Sequence, residues 1–160
     1  MSIQTSIGTP TATSYISVAS ATEYFNTRES SEEWLDMGTT GTLGSTARRE
    51  NLLKQSAREL DRTYRFMSSK YNQGTRNADD FQNLEFPRNY NTDNDGDLYI
   101  PFEVQNAQCE QALYIMQRGA TRYSQEANSI NTPFISEDAY SYLKLHITRQ
   151  VVPVGKPSWK

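Results

Sequence analysis

The pattern of residues 46 to 67 constrains the fold more than any other stretch of this chain. Apolar side chains recur there every three or four residues, the spacing that places them on one face of an α-helix. They are Leu53, Ala57, Leu60, Tyr64 and Met67. Because most of the remaining positions are charged or polar, the segment predicts a long helix from about Thr46 to Met67 with one buried face.

Three further helices are predicted before residue 130. The longest runs from Pro101 to about Ser124, because proline is tolerated at the first helical position and Glu103 favours a helix start. A shorter helix is predicted from Ser17 to about Arg28, with Ser17 as the N-cap. Another follows in SSEEWLDM, where two glutamates occupy the first turn.

The last third of the chain has a mixed pattern. Ser136, followed by two acidic residues, predicts a helix start. Apolar residues then alternate with polar ones at a strand period, at Leu143, Leu145 and Ile147. We expect a short helical turn followed by an extended segment. In the following VVPVGKPSWK, Pro153 and Pro157 exclude a regular central strand, and its apolar content suggests packing on another chain.

Length and composition favour a single domain. The chain has 160 residues, of which 36% are hydrophobic, enough for one modest core. We therefore expect a mainly α fold, a small helical bundle with two long helices, a long loop between them, an extended N-terminal arm and a C-terminal tail. The expected organisation is a flexible arm over residues 1–13, a helical core over 14–130 and a partly extended tail over 131–160.

The charge pattern contains one feature of functional interest. The net charge is −3, so no global field draws the protein to nucleic acid or to an anionic membrane. Four basic residues nevertheless share one face of the predicted long helix: Lys54, Arg58, Arg62 and Arg65. This basic stripe is interpreted as a solvated or inter-subunit salt-bridge surface, with a track for nucleic-acid phosphates as the alternative.

Residues that could support catalysis are sparse. The single cysteine, Cys109, is expected to be a small buried hydrophobe, and the single histidine, His146, an exposed position on a strand. No phosphate-binding glycine motif is present, and too few ligands exist for a zinc cluster. We expect no enzyme activity, no cofactor and no metal. The absence of a secretion signal and of a membrane-length apolar run predicts a soluble protein without a membrane partner.

The stretch NTDNDGDLYIPFE, from Asn91 to Glu103, resembles a calcium loop around Gly96. The twelfth position of such a loop requires a glutamate, but Phe102 occupies it. The segment is therefore interpreted as an Asn/Asp/Gly turn that leads into the helix after Pro101. A calcium-dependent binding module remains a third hypothesis for the function.

Five segments in a fixed order carry a family resemblance. They are SYISVASATEYFNTR, Trp34, RRENLLKQSARELDRTYRF, FQNLEFPR and IPFEVQNAQCEQALYIM. From Ser14 to Met116 this order resembles phage head-tail connector proteins of the helical adaptor type, a family that includes members labelled DnaT-like. Phe86 stands where tryptophan is common in that family, and residues 121–160 do not follow its pattern.

The resemblance implies a structural virion protein of the bacteriophage neck, assembled in the host cytoplasm. Such a protein docks on the portal as a homo-oligomeric ring, a dodecamer, forms a platform for tail and head-completion proteins, and lets DNA pass through its lumen during ejection. The residues expected to contact the portal are Val151, Val152, Pro153, Val154, Pro157 and Trp159. The alternative function, suggested by the DnaT-like label and the basic stripe, is binding of single-stranded nucleic acid.

Overall fold

The structure is a computed structural model that describes residues 2–38, 44–71, 82–125 and 135–150. Within these ranges the chain forms five helices and two strands. In chain order they are α1 (Val18–Asn26), α2 (Glu32–Leu35), α3 (Ser45–Thr63), β1 (Tyr64–Phe66), α4 (Phe102–Gln125), α5 (Glu137–Leu143) and β2 (Ile147–Gln150). The fold is thus mainly helical, as the sequence predicts, with a small two-stranded sheet in addition. No helix in these ranges has the length and apolar character needed to span a membrane.

Local capping signals locate several helix starts correctly. The Ser17 hydroxyl accepts a hydrogen bond from the backbone N–H of Ser20 (3.1 Å) at the start of α1. The Ser136 hydroxyl caps α5 in the same way, accepting from Ala139. Helix α4 begins directly after Pro101, as predicted. The predicted helical turn followed by an extended segment is confirmed by α5 and β2.

The predicted end of the long helix is wrong. Helix α3 ends at Thr63 rather than at Met67, because the next three residues form β1. This strand pairs antiparallel with β2, with Tyr64 opposite Gln150 and Phe66 opposite Ile147. Pairing with a segment that is distant in sequence overrides the helical pattern here.

The core lies mainly between α3 and α4 and consists of two clusters of buried residues. The first contains Ala57, Leu60, Tyr64, Phe66, Phe86, Val104 and Ala107, with Ala139 and Leu143 from α5. The second contains Phe25, Trp34, Leu53, Cys109, Ala112 and Leu113. Since Leu60 packs near the start of α4 and Leu53 near its middle, the two long helices run antiparallel.

Residues 82–88, the described part of FQNLEFPR, form a largely buried structural support. The Gln82 Nε2 donates to the carbonyl oxygens of Leu84 (2.9 Å) and Pro87 (3.0 Å). Phe86 is buried in the first cluster, and the Arg88 guanidinium lies 5.6 Å from the centre of its ring. This part of the family resemblance therefore reflects packing.

A buried glutamine connects α4 with two other parts of the chain. The Gln108 Oε1 accepts from the backbone N–H of Tyr15 (2.9 Å). Its Nε2 donates to the Ser14 hydroxyl (2.7 Å) and to the carbonyl of Leu53 in α3 (2.7 Å). The side chain is fully buried, so its polar groups depend on these partners.

We expect Gln108→Leu to destabilise the fold by about 2–4 kcal/mol, because it leaves buried donors and acceptors without partners. The measurement is the free energy of unfolding by urea. The control is Gln117→Leu, an exposed position on the same helix, which should change it by less than about 0.5 kcal/mol. Equal effects of both substitutions would contradict this role of Gln108.

Candidate nucleic-acid interface

Three members of the basic stripe lie along α3. Lys54, Arg58 and Arg62 are separated by four residues each, so they follow one side of the helix over about 12 Å. Arg58 and Arg62 are exposed, whereas Lys54 is partly buried. The inward positions of the same helix hold its buried apolar residues, so the cations occupy the edge of the buried face.

The N-terminal arm runs beside this edge of α3. The Thr13 backbone N–H donates to the carbonyl of Gln4 (2.8 Å), and the Gln4 N–H donates to the Thr13 hydroxyl (3.0 Å). Asn83 donates to the carbonyl of Ala12 (2.6 Å), which is itself buried. The expectation of a flexible arm did not include these contacts, which hold residues 4 to 13 in a closed loop.

The arm and α3 enclose a groove of about 1020 Å³. The arm side is formed by Ser2, Gln4, Thr11 and Thr13. The helix side is formed by Asn51, Lys54, Gln55, Arg58, Glu59 and Arg62. Among the residues that the structure describes, those that line the groove are polar or charged, and none is aromatic.

The charges in the groove are predominantly positive. Within the described part of the chain, Arg58 and Arg62 form no ion pair. The one carboxylate among the lining residues, that of Glu59, accepts hydrogen bonds from Gln111 (2.8 Å) and Gln55 (3.0 Å). The described lining residues include three cations and one carboxylate, so their own sum of charges is positive, although the chain as a whole is negative.

Arg65 does not belong to this groove. It lies in β1, beyond the end of α3, and its side chain is exposed. Its carbonyl accepts a hydrogen bond from the Thr148 hydroxyl (2.8 Å), across the sheet. The structure therefore brings together three of the four residues of the predicted stripe.

A carboxyl group on α3 anchors the chain immediately after the arm. Asp61 accepts hydrogen bonds from the Tyr15 hydroxyl and from the backbone N–H of Glu85 (3.2 Å). Burial raises the pKa of Asp61 to about 7. Arg65 is four residues from Asp61, which is the spacing of an ion pair on a helix, but Arg65 lies in β1 and Asp61 accepts a hydrogen bond from Tyr15 instead.

Asp61 should make stability fall as the pH rises. A carboxyl group whose pKa is higher in the folded than in the unfolded state binds its proton more tightly when folded, so its contribution is lost between about pH 4 and pH 7. We expect Asp61→Asn to remove on the order of 2 kcal/mol of the loss between pH 5 and pH 8. Urea unfolding of both proteins at the two pH values measures this. An unchanged difference would show that Asp61 does not titrate in this range.

The two remaining candidates from the sequence are Cys109 and His146. Cys109 is fully buried, as predicted, and its burial raises the pKa of the thiol. His146 precedes β2 instead of lying on it, and is partly buried instead of exposed. Its ring stacks on that of Tyr90, with the two ring planes 6° apart, and burial lowers the pKa of the imidazole.

The acidic loop is a turn, as predicted. The Asp93 Oδ1 accepts from the backbone N–H groups of Asp95 and Asp97 (both 2.9 Å). The Asn91 Oδ1 accepts from the N–H of Arg88 (2.8 Å). Gly96 has a positive φ of 87°, which glycine adopts without strain. Among the described residues, no group of three histidine, cysteine or acidic side chains is placed to hold a metal ion.

A second group of exposed residues includes the neighbours of His146. It consists of five large apolar or aromatic residues, and we call it the aromatic face: Met67, Tyr90, Tyr99, Phe102 and Leu145. None of these residues lines the groove. The predicted portal-binding residues between Val151 and Trp159 lie outside the described residues.

Comparison with known proteins identifies the family. A family model described as "Putative DnaT-like ssDNA binding protein" matches residues 1–139. The chain belongs to this family. The matched range includes the arm, α1 to α4 and every residue that lines the groove. No curated protein and no solved structure matches the chain.

The family description agrees with the alternative function inferred from the basic stripe, and does not mention a virion or a portal. The stripe was visible in the sequence because it follows the helical period. The arm side of the groove was not visible in the sequence, because a Thr/Ser-rich segment has no periodicity that would reveal which element it contacts.

Proposed function

We propose that this protein binds single-stranded nucleic acid along the groove between the N-terminal arm and α3. The observation that carries the proposal is the alignment of three cations on one side of a groove whose other side consists of hydroxyl and amide groups. The family to which the chain belongs supports the same function.

The chemistry of the groove defines how a strand would be held. Lys54, Arg58 and Arg62 recur about every 6 Å along the helix axis and would pair with backbone phosphates. The polar side chains of the arm, such as those of Thr11 and Thr13, add hydrogen bonds to phosphate or sugar. Because no aromatic side chain for base stacking lines the groove in the described part of the chain, binding should show little base preference and depend strongly on salt. The proposal includes no catalysis, cofactor or metal.

Binding should weaken when the exposed arginines of the groove are replaced. Each phosphate contact to a single strand contributes about 0.7 to the slope of log K against log salt concentration. The double variant Arg58→Ala/Arg62→Ala should therefore reduce the slope by roughly 1.4 and lower affinity at low salt. Fluorescence anisotropy of a labelled oligothymidylate, titrated at several salt concentrations, measures both quantities.

The matched control is Arg65→Ala/Lys144→Ala, which removes two exposed cations outside the groove. This control should bind as the unchanged protein does. Equal losses in the two double variants would indicate nonspecific attraction to positive charge. No binding by the unchanged protein at low salt would exclude the proposed function.

A head-tail connector is the second candidate function. Ring assembly through heterologous contacts requires two different complementary surfaces on each protomer. Three cations line the groove, whereas Asp95 and Asp97 are exposed in the turn that precedes Tyr99 of the aromatic face, so the molecule offers two surfaces of different charge. In this proposal the ring is a dodecamer in the virion neck, assembled in the host cytoplasm on the portal, with tail and head-completion proteins as further partners and DNA passing through its lumen.

The connector proposal predicts a stoichiometric complex with the portal protein encoded near this chain. Sedimentation of the two proteins, alone and mixed, should show the complex. Deletion of residues 151–160 should abolish the complex without loss of helical circular dichroism, because all the described helices precede this segment. Portal binding that survives this deletion would contradict the assignment of Val151 to Lys160 as the portal contact.

A further inference from the structure

The arm side of the groove is attached to the core by the residues between those that line it. In residues 2–4, and again in residues 11–13, the outer two side chains line the groove. The side chain between them is apolar in both stretches. Ile3 packs against the second cluster of the core, and Ala12 is buried in the first. Polar groups therefore face the groove while apolar groups hold the arm at two places.

Hydrogen bonds also pair the two stretches with each other. The Thr13 N–H donates to the carbonyl of Gln4 (2.8 Å), and the Ser14 N–H donates to the same oxygen (3.3 Å). In return, the Gln4 N–H donates to the Thr13 hydroxyl (3.0 Å). Chain segments that are paired in this way lie about 5 Å apart. The arm side of the groove is thus built from two segments that lie side by side.

Asn83 holds the second of these stretches. Its Nδ2 donates to the carbonyl of Ala12 (2.6 Å), and its backbone N–H donates to the carbonyl of Thr9 (3.1 Å). Neither Asn83 nor Ile3 is among the described residues that line the groove. These two residues therefore determine where the arm lies without forming the surface that a strand would contact.

The position of the arm limits what the cations of α3 can reach. The major groove of B-DNA is about 12 Å wide and admits an α-helix, whose diameter with side chains is about 10–12 Å. The arm lies beside the cationic side of α3 and adds about 5 Å or more to its width. The helix and the arm together are therefore wider than the major groove. A single strand meets no such limit, because it lies between the helix and the arm.

We propose that the arm makes the groove selective for a single strand over a duplex, and that Ile3 and Asn83 are the positioning residues that hold the arm beside α3. This inference rests on the proposed binding of single-stranded nucleic acid and names the element that determines its specificity. The arm adds polar contacts to a single strand and keeps the cationic side of α3 out of the major groove. It therefore changes the two affinities in opposite directions.

The variant Ile3→Ser/Asn83→Ala should release the arm, because it removes one apolar and one hydrogen-bonded attachment. Faster amide hydrogen exchange at Thr13 would report the release. Fluorescence anisotropy with a labelled oligothymidylate, and with a duplex of the same strand and its complement, gives the two affinities. We expect the affinity for the single strand to fall about fivefold, as for the loss of about one hydrogen bond. The affinity for the duplex should rise, so that the ratio of the two falls by more than this factor.

The matched control is Ile7→Ser/Asn89→Ala. Ile7 is an exposed residue of the same arm, and Asn89 donates to the Ser69 hydroxyl (2.6 Å). This control should leave both affinities unchanged, and circular dichroism verifies that each variant is folded. Deletion of residues 2–8 is a second variant, which removes the first stretch of the arm even if the substitutions do not release it. It should lower the ratio in the same direction.

The outcomes separate this inference from the proposed function. An unchanged ratio in the deletion variant, while single-strand binding still depends on Arg58 and Arg62, would overturn the role of the arm and leave the proposed function intact. A lower affinity for the single strand without a gain for the duplex would do the same, since the arm would then supply contacts only. Equal affinities of the unchanged protein for the two ligands would also overturn the inference. No binding of the single strand by the unchanged protein at low salt would exclude the proposed function, and this inference with it.

Discussion

The hydrogen bonds of Gln108 are the interaction on which the rest of this structure depends. One buried amide on α4 bonds to α3 at Leu53 and to the start of the ordered core at Ser14 and Tyr15. An unpaired amide in this buried position would destabilise the folded state. The hydrogen bonds therefore favour this one arrangement of the three elements. Because these bonds hold Ser14 and Tyr15 next to α3, the arm lies beside this helix. The groove between the arm and α3 follows from this arrangement.

Local signals were sufficient to predict the helices but not the sheet. Ser17, Ser136 and Pro101 mark helix starts through their own side chains or rings, so the information lies within a few residues. The strand Tyr64–Phe66 forms because β2 pairs with it from about 80 residues away. Until that pairing is known, Tyr64 continues the apolar stripe of the helix equally well, which is why the helix was predicted four residues too long.

The same distinction between local signals and long-range contacts explains which parts of the candidate site could be predicted. Lys54, Arg58 and Arg62 could be predicted as neighbours because all three lie on one helix. Arg65 could not be excluded, since its position depends on where α3 ends. The arm side of the groove depends on contacts between segments far apart in sequence, such as that of Asn83 with Ala12. Asp61 had an apparent partner in Arg65 by spacing, but the approach of Tyr15 determines its actual environment.

The net charge of the chain does not reveal that two of its surfaces carry opposite charges. Three cations line the groove, whereas the turn before α4 carries three exposed aspartates. Charges on separate surfaces act mainly on what lies within about 10 Å of them at physiological salt. A sum of −3 therefore does not oppose binding of a polyanion in the groove, provided that the strand stays near α3.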